Sequence, residues 1–100
     1  MVKQISVVAT IIAEAGSEEI IYQELQRLVL LTRKEEGCIN YVLHRSNDES
    51  GLFIMYENWK SEEDLNRHNQ SDHLKTFKND NKGALKEIQV YKLTMIENDK

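Results

Sequence analysis

From Gln4 to Ala13 every second residue is apolar: Ile5, Val7, Ala9, Ile11 and Ala13. A period of two predicts a strand. The intervening Ser6, Val8, Thr10 and Ile12 are themselves half apolar, so both faces of this strand carry bulk. Ala15-Gly16-Ser17 breaks the pattern, with Ser17 placed to cap a helix and Glu18 and Glu19 in its first turn, where the dipole favours negative charge. Ile21, Leu25, Leu28 and Thr32, flanked by Tyr22 and Val29, recur at helical spacing, and Gly37 reads as the residue just past the helix end.

The stretch 38–46 predicts a second strand, with Ile39, Tyr41 and Leu43 on one face. The polar turn 47–51 leads to a third strand over 52–59, so the two form a hairpin. Ser61 with an acidic residue three positions on starts a helix, and Ser71 offers a second cap, which predicts two short helices kinked near Gln70 and ended by Gly83. A last strand falls over 87–96; residues 1–2 and 97–100 read as frayed tails.

The order is βαββαβ over one domain, residues 1–100: an α+β, ferredoxin-like arrangement, an antiparallel sheet with its helices on one face. Two helices cover only one face of such a sheet. In the third strand Leu52, Ile54 and Tyr56 oppose Phe53, Met55 and Trp59, so the second face also needs cover. A second copy of the chain is the simplest cover, and the expectation is a homodimer with sheets packed face to face.

Composition narrows the function. Thirteen basic against 17 acidic residues give a net charge of −4, which argues against general nucleic-acid binding. The longest apolar run, 52–56, is far short of the roughly 20 residues of a membrane span. The chain enters its first strand without a basic-then-apolar leader, and its one cysteine excludes an internal disulfide framework. Together these features predict a cytoplasmic protein. Phosphate-binding glycine loops, a G-x-S-x-G elbow and an H-E-x-x-H pair are absent from the sequence. Cys38 reads as a structural thiol and His44 as a surface residue.

The informative segment is Tyr56-Glu57-Asn58-Trp59 and the helical stretch that follows, with His68 three residues after Leu65 and therefore beside the apolar stripe. An amide, an indole N–H and an imidazole could converge on a small pocket between helix and sheet. The plainer alternative is that His68 and His73 are half-exposed helix residues bonded to nearby carbonyls. Asn58 and Trp59 point to opposite sides of a regular strand, so only a bulge would bring both into one site.

The chain contains E-G-C-x-x-Y at 36–41 and E-x-W-x(8)-H-x(4)-H at 57–73, followed by Leu74 and Phe77. In these motifs, and over nearly its whole length, it resembles the antibiotic biosynthesis monooxygenase (ABM) domain family. The resemblance implies a dimeric α+β barrel and a cofactor-independent oxygenase that uses molecular oxygen on a small hydroxylated aromatic or quinol substrate. A related class isomerises a phosphorylated carbonyl compound, and a non-catalytic ligand-binding barrel is a third reading. In the oxygenase reading His68 is the base or proton shuttle, and Asn58 and Trp59 position the ring and its oxyanion. His73 supports them, and Tyr41, Tyr56, Met55 and Phe77 are wall candidates. For the isomerase, Lys60, Arg67, Lys75 and Lys78 could anchor phosphate. The ligand set of the family's haem-degrading branch is missing, since His68 and Lys78 stand where that branch has a tryptophan and an axial histidine.

Overall fold

The computed structural model describes residues 3–96. Strand β1 (Ile5–Ala13) leads to helix α1 (Glu18–Thr32), the hairpin β2 (Cys38–Arg45) and β3 (Leu52–Trp59), helices α2 (Glu62–Asn69) and α3 (Asp72–Asp80), and finally β4 (Leu85–Leu93). The strands form one antiparallel sheet in the order β2-β3-β1-β4, the ferredoxin-like arrangement expected from the element order. The tails expected at residues 1–2 and 97–100 lie outside the described residues.

The core sits between the helices and one sheet face. Val7, Ala9 and Ile11 of β1 and Phe53, Met55 and Trp59 of β3 meet Ile21, Leu25 and Leu28 of α1, Leu65 of α2, and Leu74 and Phe77 of α3. Fully burying a Val, Leu, Ile, Phe or Met side chain contributes roughly 1.5–3 kcal/mol, so the alternating faces of β1 and β3 and the apolar stripes of the helices together anchor the fold. The opposite face carries Val8 between Tyr56 and Tyr91, and Thr10 beside Ile54. Tyr56, Tyr91 and Leu93 there are exposed. Among the described residues no helix is long and apolar enough to cross a membrane.

Several boundaries differ from the pattern-based expectation. Helix α1 stops at Thr32, five residues before Gly37, because the chain bends through Lys34 N–H to Leu31 O and Glu35 N–H to Thr32 O. Gly37 serves a different purpose. A Cβ there would lie 2.2 Å from Cγ of Asp64, so only a glycine lets the start of β2 pass the first turn of α2. Ser17 precedes α1 without a side-chain capping bond, whereas Ser61 and Ser71 accept from Asp64 N–H and Leu74 N–H. The register slips between Cys38 and Asn40, which turns Ile39 outward while Tyr41 stays in the core. Strand β4 begins at Leu85, two residues earlier than expected, and ends at Leu93.

Candidate functional site

The break between α2 and α3 assembles the site. His68 and His73 are five residues apart, which on an unbroken helix at about 100° per residue would set them roughly 140° apart in azimuth. At Gln70–Ser71 the helix ends, Ser71 caps a new one, and the two imidazoles turn toward a single carboxylate. His68 Nδ1 lies 2.7 Å and His73 Nε2 2.6 Å from Oε2 of Glu35, which projects from the bend between α1 and β2. A carboxylate only accepts, so each imidazole presents a protonated nitrogen to it. That leaves Nε2 of His68 with a free lone pair.

His68 is 2 % exposed and packed against aromatic rings. Its ring centroid lies 4.6 Å from that of Trp59 and 5.4 Å, edge to face, from Tyr41. Burial holds its pKa below the ordinary histidine value, against the opposing pull of Glu35. The imidazole is therefore neutral at pH 7 and able to accept a proton.

The same ring forms part of the wall of a cavity of about 90 Å³ between the sheet and the helices. Val7, Ala9, Met55, Leu65 and Phe77 make its apolar lining, and Glu57, Tyr41 and Lys78 supply polar groups. Val90 and Lys92 on the edge strand β4 stand at its margin; Lys92 pairs with Glu62 of α2. Glu57 is buried and accepts a 2.9 Å hydrogen bond from the indole N–H of Trp59. Burial raises its carboxyl to about 7, which the Trp59 bond only partly offsets and the Glu35 charge reinforces. Burial likewise lifts the Tyr41 hydroxyl well above its ordinary range, with Glu57 adding to the shift. Cys38 is pushed up to about 11, first by burial and then by Glu35 and Glu57, so it remains a thiol with little nucleophilic character.

Among the residues singled out from the sequence, Tyr41, Met55, His68 and Phe77 line this cavity. Trp59 stacks against His68 from behind, and His73 reaches it through Glu35. His73 also borders an open cleft between α1 and α3. Asn58 and Tyr56 do not converge with them. Strand β3 is regular to its end, so both point to the other sheet face, where Asn58 accepts a 2.7 Å hydrogen bond from the Ser6 hydroxyl and Tyr56 is exposed. Glu35 and Glu57 were missed as site residues. Strand parity puts Glu57 on the face of Met55 and Trp59 and could have found it, whereas Glu35 lies in an irregular bend that no periodicity places.

The glutamate and two histidines are also the donors that could hold a metal ion.

Residues 4–80 match the family described as "Antibiotic biosynthesis monooxygenase". Over 59 residues the chain is 37 % identical to the Bacillus subtilis protein named "Putative monooxygenase YcnE"; the match spans 59 % of this chain and 62 % of that protein. The crystal structure of PA3566 from Pseudomonas aeruginosa superimposes with a TM-score of 0.92 at 33 % identity, covering 97 % of this chain and 98 % of the other. SO0527 from Shewanella oneidensis gives 0.87 at 26 % identity over 93 % and 91 %.

Proposed function

Because the chain belongs to the antibiotic biosynthesis monooxygenase family, we propose that it is a monooxygenase that oxidises a small hydroxylated aromatic or quinol with molecular oxygen and without a cofactor. The family match and the resemblance to YcnE support monooxygenase-type chemistry. The observation that carries the finer reading is the neutral, buried His68, held through Nδ1 by Glu35 in the wall of an apolar cavity.

In this reading a substrate hydroxyl donates to the unprotonated nitrogen of His68. The ring, made electron-rich as its proton is taken, supplies the electrons that reduce oxygen. One oxygen atom enters the substrate and the other leaves as water. His68 holds the proton in the meantime, and Glu35 steadies the resulting imidazolium at 2.7 Å through a hydrogen bond that is already in place. His73, at the cleft and on the same carboxylate oxygen, gives the proton a route to solvent. The apolar walls of Met55, Leu65 and Phe77 suit a flat ring.

Lys78, alone of the four cations considered for phosphate, stands on the cavity wall, and this one observation favours the phosphorylated-carbonyl isomerase as the second reading. The active unit in either case is a homodimer joined through the apolar outer sheet face.

The test is oxygen uptake by metal-stripped protein with reduced naphthoquinols and hydroxyanthrones, corrected for spontaneous oxidation. Saturable uptake that disappears in His68→Ala supports the oxygenase. No uptake above background across the panel rejects it and moves the assay to phosphorylated ketones.

A further inference from the structure

We propose that Glu35, His68 and His73 form a binding site for one divalent transition-metal ion of the zinc class. The three donors come from three separate pieces of chain: the bend after α1, α2 and α3. Their ligand atoms all lie within 4.8 Å of one another. Two imidazole nitrogens and one carboxylate oxygen make a borderline set that suits zinc; calcium and magnesium prefer oxygen alone.

The fit needs only small movements. A tetrahedral ion with bonds of about 2.1 Å sets its donors about 3.4 Å apart. The imidazole–carboxylate separations of 2.7 and 2.6 Å must therefore widen by roughly 0.7–0.8 Å. The two nitrogens, at most 4.8 Å apart, must close by up to roughly 1.4 Å. Rotation of the half-buried Glu35 and His73 side chains supplies movements of this size, while the buried His68 stays fixed.

A path for the ion is also present. His73 borders the cleft between α1 and α3, whose rim carries Glu24, Asp72 and Asp80 against the single guanidinium of Arg27. That excess of carboxylates draws a cation toward His73. With three protein ligands, a tetrahedral ion keeps its fourth position for water or another small ligand. With the ion on Nδ1, the neutral ring of His68 must carry its proton on Nε2, which can then no longer accept one from a substrate, so zinc would suppress any turnover that depends on His68.

The site does not depend on the oxygenase reading, because its test uses no substrate. Chelator-treated full-length protein is titrated with zinc in competition with a chromogenic chelator, and with cobalt(II) followed by visible absorption. The expected result is one ion per chain, bound at micromolar concentration or tighter, with the intense bands of four-coordinate cobalt. His73→Ala and Glu35→Gln should each weaken zinc at least a hundredfold, and His73→Cys, which keeps a donor, should bind within tenfold of the parent. His73 is partly exposed, so its variants should fold even if His68→Ala does not. Binding only at millimolar zinc, or the same affinity in His73→Ala and Glu35→Gln, overturns the proposal and leaves the cluster a hydrogen-bonded relay.

Discussion

Oε2 of Glu35 lies 2.7 Å from Nδ1 of His68, although the two residues are 33 positions apart and on different elements. The bond fixes which nitrogen of a buried imidazole carries the proton and leaves the other as a base. Glu35 touches the cavity only through His68, so it is a positioning residue. In Glu35→Gln the amide offers no negative charge to an imidazolium. The expected outcome is a fall in kcat of roughly ten- to a hundredfold with KM nearly unchanged, since the lost stabilisation belongs to the charged state. Glu35→Asp should recover part of that loss. Steady-state kinetics on the substrate found by oxygen uptake would check both, and an equal change in KM alone would reject the assignment.

Gly37 faces Asp64 closely enough that a methyl group cannot fit. An added Cβ would stand 2.2 Å from Cγ and 2.3 Å from Cβ of that aspartate. Asp64 accepts from the Ser61 hydroxyl at 2.8 Å and from Arg67 at 2.6 Å, so moving it disturbs the start of α2. Gly37→Ala should destabilise the fold by about 1–3 kcal/mol, the usual range for overpacking. Urea unfolding measures this directly; a midpoint within error of the parent would show that β2 and α2 separate without cost.

These positions show where sequence reading reached and where it stopped. The alternation of β1, the hairpin and the two serine caps are local rules, and each was legible because the residue and its partner lie within a few positions. The helix break at Gln70 was legible for the same reason. Parity also foretold that Asn58 and Trp59 would part, and the regular end of β3 does separate them. Glu35 was hidden because its direction depends on a bend closed by Glu35 N–H to Thr32 O and Cys38 N–H to Glu35 O, where neither helical nor strand periodicity applies. The extension of α1 to Gly37 failed at the same bend. Glycine is common after helices, but this one answers to a tertiary contact with α2.

The outer sheet face sets up a prediction about assembly. Val8 stands between Tyr56 and Tyr91, with Ile54 and Leu93 nearby on the same face, and no helix covers them. A second copy laid on this face would bury the row twice over by symmetry. Sedimentation of the parent protein at micromolar concentration should give twice the chain mass of 11.7 kDa. Val8→Lys places an ammonium in the middle of the row and should shift the particle to the single-chain mass while far-ultraviolet circular dichroism is unchanged. A parent protein that sediments at one chain's mass rejects the dimer outright.

Glu57 makes a second demand on the fold, one that varies with pH. Its carboxyl is raised from 4.5 to about 7, chiefly by burial, although Lys78 and Lys92 reach the same cavity as Tyr41 and His68. Between those values the folded protein keeps a proton that the unfolded chain has released. Stability from this group is therefore full below about pH 4.5, falls as pH rises through the window, and is lost above 7. The shift corresponds to roughly 3 kcal/mol. Glu57→Gln keeps an oxygen to accept from the Trp59 indole and removes the charge. The difference in unfolding free energy, variant minus parent, should grow in favour of the variant by up to that amount between pH 5 and pH 8; groups that do not feel the Glu57 charge titrate alike in both proteins and cancel in it. A difference that stays flat across this range would mean that water reaches the Glu57 carboxylate in the folded protein and that its charge is not confined to a dry cavity.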